Sequence, residues 1–564
     1  MKTRRTLPLV AALTLISAFP AGAQTQAARF ESFTYEGSDP ATSGPLQPGQ
    51  YRNPILSGFY PDPSVTRVGQ DYYLVTSTFS YFPGIPVFHS SDLVNWTQIG
   101  NAIDRPDQLD FGTLGLSRGV FAPTIEHHDG LFYILNTCVD CGDNFLITAT
   151  DPAGPWSDPV WLPDLVGGID PALFVDQEGQ AWILNNGPPE GPPQYDGHRA
   201  IWIQRYDLER QVTFGPRTIL VNGGVDFSTK PIWIEGPHLT YRNGWYYLTC
   251  AEGGTAEGHS QVVLRSRAPD GPFEAFEGNP ILTQRGLPSD RPYPITSAGH
   301  ADLVQTPDGD WWATLLAVRP YGPDQYNTGR ETFLLPVDWS GEWPIITVPD
   351  QVIPYAAARP DLPEQPTPDV PTSGPFRVVD DFDAATLPPW WMMMRNPHEA
   401  WFDLTSSPGA LSLTPRAVDL GDNANPSFLG RRQQHQFATA ETVMDWTPTQ
   451  DGDRAGMAAL QSDDFWYLLA VGQENGRPVV ELRKRTGPEE PADGAVIASA
   501  PLSDPDDAAR LRITARADRY DFAYAGKAGD WTTLAADVDG TVLSTRTAGG
   551  FVGVVFGPHA RSAD

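Results

Sequence analysis

Five times between Val68 and Trp312 the chain repeats one short pattern: an acidic residue or Asn, once Val, then Gly, then a ring or a pair of rings close behind. The occurrences are Val68-Gly69-Gln70-Asp71-Tyr72-Tyr73, Asp129-Gly130-Leu131-Phe132-Tyr133, Glu178-Gly179-Gln180-Ala181-Trp182, Asn243-Gly244-Trp245-Tyr246-Tyr247 and Asp308-Gly309-Asp310-Trp311-Trp312. Their glycines lie 61, 49, 65 and 65 residues apart, a period that holds one four-stranded sheet per repeat with room for insertions. Each turn sits between strand-like runs, such as Leu239-Thr240-Tyr241 before Gly244 and Tyr246-Tyr247-Leu248-Thr249 after it. Five such sheets set radially make a five-bladed β-propeller. The alternative is an ordinary sandwich followed by a second one.

The repeats place the propeller at residues 51–357. A chain of 564 residues is too long for one core. After the propeller, Pro360, Pro363, Pro366, Pro368, Pro371 and Pro375 mark residues 358–375 as an extended linker. Residues 376–564 alternate in the manner of strands, as in Phe465-Trp466-Tyr467-Leu468-Leu469-Ala470-Val471 and Leu511-Arg512-Ile513-Thr514-Ala515, and read as a β-sandwich. The class is all-β. At the other end, Lys2, Arg4 and Arg5 precede the apolar run Leu7 to Phe19 and the small residues Ala21-Gly22-Ala23, so residues 1–23 read as a signal peptide, with export to the periplasm or beyond the cell as the expectation. Residues 24–50, polar and rich in Gly, Ser, Thr and Pro, read as a flexible leader.

Net charge limits the partners. At −31 the chain would approach nucleic acid or an anionic membrane against a repulsive field, so neither is expected, and a neutral substrate suits it better. Three cysteines exclude a disulfide scaffold. Cys138-Val139-Asp140-Cys141 lacks the second pair that a zinc site needs and reads as a local disulfide or two inert thiols.

Alignment on the turn glycines exposes a second regularity. In a propeller the innermost strands run along the axis, so equivalent points near their starts face one another across a funnel. Seven to nine residues before each glycine stand Asp62, the stretch Phe121-Ala122-Pro123, Asp170, Glu235 and His300. An Asp before Pro is by itself a turn signal, as in Asp39-Pro40 and Asp504-Pro505. Three carboxylates at one repeat phase are another matter: they repel one another, and a fold keeps such a group for acid–base work or for a cation. Glycoside hydrolysis needs such a set, with one carboxyl to protonate the leaving oxygen, one to activate water or attack carbon, and a neighbour to raise the acid's pKa.

Several ordered motifs make the chain resemble glycoside hydrolase family 43. They are Asn53-Pro54-Ile55-Leu56 leading to Tyr60-Pro61-Asp62-Pro63-Ser64, Ser77-Thr78-Phe79 with Phe82-Pro83-Gly84, Gly168-Ile169-Asp170-Pro171, Glu235-Gly236-Pro237-His238, Ala251-Glu252-Gly253-Gly254-Thr255, Gly299-His300-Ala301 and Arg319-Pro320. In the last domain Asp380-Asp381-Phe382, Arg395-Asn396-Pro397 and Phe428-Leu429-Gly430-Arg431-Arg432-Gln433-Gln434-His435 are similar to the branch of β-xylosidases and α-L-arabinofuranosidases with a concanavalin-like β-sandwich after the propeller. The resemblance implies Asp62 as general base, Glu235 as general acid and Asp170 as the residue that orients Glu235 and raises its pKa. It implies inversion of the anomeric centre, for which base and acid stand about 6.5–9.5 Å apart. Arg319 is implied as a hydrogen-bond donor to the terminal sugar, with Phe79, Phe121 and Thr255 lining its pocket. His300 falls where related enzymes hold calcium, although one imidazole is a meagre set for that ion; no cofactor is needed for the chemistry. Many relatives carry Trp where Phe121 stands, which leaves the chemistry alone and bears on the glycone.

The expected function is that of an inverting exo-glycosidase releasing terminal pentoses from xylan or arabinoxylan oligosaccharides. β-D-Xylosidase comes first and α-L-arabinofuranosidase second, and a loop of the sandwich is expected to narrow the funnel. The rivals are a non-catalytic carbohydrate-binding propeller and an endo-acting arabinanase with an open groove.

Overall fold

A computed structural model describes residues 26–165, 167–502 and 508–563. The signal peptide expected at 1–23 lies outside the described residues. Five antiparallel sheets follow one another from Ser64 to Pro336. Their inner strands are Ser64–Val68, Thr124–His128, Ile169–Val175, Glu235–Arg242 and Thr296–Gln305, and each neighbours the next, with the last returning to the first. This closed ring is the five-bladed propeller that the repeats predict.

The turn glycine is required in every blade: Gly69, Gly130, Gly179, Gly244 and Gly309 all have φ between 65° and 100°, where a Cβ is disfavoured. The ring is closed by the segment that precedes the first blade. Leu56 pairs with Thr332 at the edge of the fifth blade, and the side chain of Asn53 donates to Leu334 O and accepts from Leu334 N.

The sandwich holds one surprise. Ala28–Gly37, inside the stretch expected to be a flexible leader, is a strand in the middle of a sandwich sheet, paired with Phe376–Asp380, Leu411–Leu413 and Phe437–Asp445. Phe30, Phe33 and Tyr35 of this strand are buried in the core between the sheets. Averaged composition over 24–50 concealed an apolar alternation, and the strands that it completes lie some 350 to 400 residues away. The second sheet runs through Val555–Arg561, Arg454–Ser462, Phe465–Glu474, Arg477–Thr486 and Ala495–Pro501.

Buried apolar residues of the propeller and the sandwich share core clusters. The Pro-rich segment is docked along the propeller: Arg359 donates to Asp92, and Thr372 and Ser373 donate to the carbonyls of Ile55 and Pro54. Met393–Met394 pairs with Tyr81–Phe82 of the propeller, and the buried Arg395 links Leu114 O to Asp463. The only disulfide among the described residues joins Cys138 to Cys141, which decides between the two readings of that motif.

Candidate active site

Each second strand of a blade ends, and each third strand begins, at the mouth where the inner strands start. The connections between them therefore form a rim around the axis. A cavity of about 410 Å³ opens there, lined by Asp62, Asp170, Glu235 and His300 from the inner-strand starts and by Phe79, Thr255 and Arg330 from the rim. Phe121 completes one wall.

Asp170, Glu235 and His300 reach this point through a shared distortion. Pairing of the first two strands slips between Ile169 and Ala172 in blade three and between Glu235 and His238 in blade four, and twice between Thr296 and Asp302 in blade five. At these starts Asp62 (φ 55°), Asp170 (φ 53°), Gly236 (φ 56°) and His300 (φ 48°) are left-handed. Such backbone costs a non-Gly residue of order 1 kcal/mol and persists where the surroundings hold it. The bulge takes Asp170, Glu235 and His300 out of the strand's alternation and turns them to the axis, while Asp62 stands two residues before a strand whose pairing has no slip.

Their environments separate the three acids. Burial alone would raise the pKa of Asp62, but the positive charge of Arg330 (Nη1 to Oδ1 3.6 Å), the neighbouring His300 (Nδ1 to Oδ1 3.4 Å) and a hydrogen bond from the Ser77 hydroxyl to Oδ2 at 2.5 Å together hold it below the usual range; His300 adds positive charge only where it is itself protonated. Glu235 is pushed well up, first by burial and then by the charges of Asp170 and Asp62. Asp170 rises to about 7, by burial and the charge of Asp62, while Gly236 N donates to its Oδ2 at 3.0 Å. One carboxylate stays charged beside a carboxyl that stays protonated, the arrangement acid–base chemistry across a bond requires.

Matches to known families agree with this geometry. Residues 51–344 match the model described as glycosyl hydrolases family 43, and residues 379–563 match the β-xylosidase C-terminal concanavalin A-like domain. The chain belongs to glycosyl hydrolase family 43. Family 43 members hydrolyse O-glycosyl bonds with inversion, so this chain is an enzyme. Among its relatives, a xylosidase/arabinosidase of Butyrivibrio fibrisolvens is 37% identical over 90% of this chain and 95% of its own length. A non-reducing end α-L-arabinofuranosidase of Bacteroides ovatus is also 37% identical, over 90% of this chain and 91% of its own. Among solved structures, a GH43_12 protein from capybara gut metagenome superimposes with a TM-score of 0.87 at 38% identity, covering 95% of this chain and all of the other.

Arg319 is not in the family 43 cavity. It lies 2% exposed, with Nε and Nη2 donating to the two oxygens of Glu331 at 2.5 and 2.8 Å and Nη1 donating to Asp39 at 2.5 Å. The arginine of this connection that lines the cavity is Arg330, at its other end, whose guanidinium also lies 4.9 Å from the Phe551 ring centroid; Arg118 lines the cavity from the second blade. The two arginines bracket one loop, and only its path decides which of them faces the axis.

His300, the residue for which calcium was the expectation, lines the cavity. Among the described residues no group of three or more His, Cys, Asp or Glu side chains is placed to hold a metal, and Nδ1 of His300 is turned to Asp62. Burial lowers His300 to about 4, so at neutral pH it is an uncharged imidazole.

Two further residues were not singled out from sequence. Phe551, from the sandwich, closes the wall beside Phe79 (centroids 5.7 Å apart, stacked) and Phe121 (5.8 Å, edge-on). Its loop is held by Phe551 N donating to Ser117 Oγ and by Gln461 and Thr545 donating to Val552 O. This is the loop of the sandwich expected to narrow the funnel. His259, the other, lines the cavity with Nδ1 3.0 Å from Ser297 O. That contact puts the proton on Nδ1 and leaves the buried Nε2, which has no protein partner, as an acceptor.

Proposed function

We propose that the protein is an inverting exo-glycosidase that removes single terminal pentoses from xylan or arabinoxylan oligosaccharides, with β-D-xylosidase as its first activity. Asp62 takes the proton of the attacking water, Glu235 gives its proton to the leaving oxygen, and Asp170, through its charge and its bond to Gly236, orients Glu235 and keeps it protonated. Arg330 and the bare Nε2 of His259 meet sugar hydroxyls. The observation that carries this reading is the opposite displacement of Asp62 and Glu235 inside one cavity that Phe551 walls off. A second activity, α-L-arabinofuranosidase, is favoured by the Bacteroides ovatus relative. Nitrophenyl β-xyloside and α-arabinofuranoside assayed side by side, then natural oligomers, test both; release of neither pentose would refute the proposal. The segment 1–23 would direct export, and mass measurement of the secreted chain should then find Gln24 at its start.

The pH profile follows from the same electrostatics. Asp62 works charged, so kcat/KM falls as pH drops through its pKa, below the ordinary value of about 3.9. Glu235 works protonated, so kcat/KM falls as pH rises through its raised pKa. Arg330→Ala removes the leading stabiliser of charged Asp62 and should move the acid limb to higher pH. An acid limb that stays in place would contradict the assigned coupling.

The Phe551 wall has its own test. Phe551→Ala should cost about tenfold in kcat/KM, the order expected when one apolar wall of a sugar pocket, worth about 1–2 kcal/mol to the bound glycone, is removed. Product sizes from linear oligosaccharides should also begin to include fragments longer than one sugar. Single-sugar release at an unchanged rate would show that the sandwich does not shape the pocket.

A further inference from the structure

An acid must reach the oxygen that it protonates, so the departing part of the substrate lies on the Glu235 side of the pocket. The other side, behind Phe79 and Phe121, is shut by Phe551. On the Glu235 side the rim is formed by Ile232 and Trp233, immediately before Ile234 and Glu235, and both are open to solvent (52% and 36%). Beyond Trp233 lies a second cavity of about 460 Å³, bounded by the 193–199 stretch of the long connection in blade three. Trp233 lines both cavities.

We propose that this second cavity binds the second sugar of the leaving group, so that the enzyme prefers neutral oligosaccharides of three or more residues. The inference rests on the reading of Glu235 as the general acid. Four features of the rim support it. Trp233 is held in left-handed backbone (φ 45°), a true outlier for so bulky a residue, by Trp233 N donating to Gly197 O and by Gly253 N and Gly254 N donating to Ile232 O. The Arg199 guanidinium stacks 4.7 Å from the ring centroid while Arg199 itself is tied to Asn186 and Gly167 O, so the indole stands in one position without help from a ligand. A fixed, partly exposed indole is a sugar-stacking surface of low entropic cost. Gln194 and Asp196 present exposed polar side chains at the cavity, and these suit hydroxyls.

The test is chain-length dependence. Wild-type kcat/KM on xylotriose should exceed that on xylobiose by about tenfold, with arabinotriose and arabinobiose used instead if the arabinoside is the aryl glycoside cleaved. Trp233→Ala should bring the ratio close to one. The exposed-loop variant Gln194→Ala/Asp196→Ala reads the same ratio should Trp233→Ala fold poorly, and calorimetric titration of Glu235→Gln with the two oligosaccharides should show tighter binding of the longer one. Equal kcat/KM for the two in the wild type, or an equal loss on both in Trp233→Ala, would overturn the second sugar site while leaving the pentosidase reading intact. Failure to cleave any pentoside would instead overturn that reading, and this inference with it.

Discussion

Asp62→Asn should lower kcat by about 10²–10⁴-fold on aryl glycosides and on natural oligosaccharides alike. Water must be activated whatever leaves, and the amide can accept a hydrogen bond from Ser77 without taking a proton. Glu235→Gln should lose a similar factor on xylobiose and far less on a nitrophenyl glycoside, because nitrophenolate departs without being protonated. That asymmetry separates the two roles. Equal deficits of the Glu235 variant on both substrates would remove it from the acid's position, and wild-type turnover of either variant would remove the cavity from the chemistry. Asp170→Asn adds a third arm. It withdraws a charge that raises Glu235, so the alkaline limb of kcat/KM should move to lower pH.

Arg319→Ala should destabilise the folded protein by about 3–5 kcal/mol, the range for breaking a buried ion pair from one side. Its removal strands two buried carboxylates, Glu331 at 0% and Asp39 at 2% exposure, and Glu331 also accepts from Gly58 N at the propeller's closure. Asp39 follows the N-terminal strand, so the same guanidinium ties that strand's end to the fifth blade. Thermal unfolding should shift far downward while kcat/KM of the protein still folded stays near wild type. An unchanged melting temperature with a raised KM would instead restore Arg319 as a sugar contact.

The two arginines show where a linear reading ends. Arg319-Pro320 looked like the family motif, and nothing in residues 319–330 taken as a string says which end of the loop faces the axis. The ion pair to Asp39, some 280 residues away, settles it. Phe551 is a similar case: its neighbours Phe79, Phe121 and Ser117 belong to another domain, so no local pattern could mark it. Trp233 carried a faint signal as a large ring two residues before Glu235, but its left-handed backbone, which puts it on the rim, is set by Gly197 and the Gly253-Gly254 turn.

What the amino-acid order determined by itself was whatever repeats or is local. Five turns that need glycine set the number of blades, and register against those turns brought Asp62, Asp170 and Glu235 to one phase, because equivalent positions in a radial repeat must converge on its axis. Tertiary structure alone decided what depends on contacts between distant segments: the N-terminal strand inside the sandwich, the arginine that lines the cavity, the ring that closes the pocket and the side left open. Burial and charge at those places are properties of the assembled neighbours, and they displace the pKa values of Asp62 and Glu235 in opposite directions.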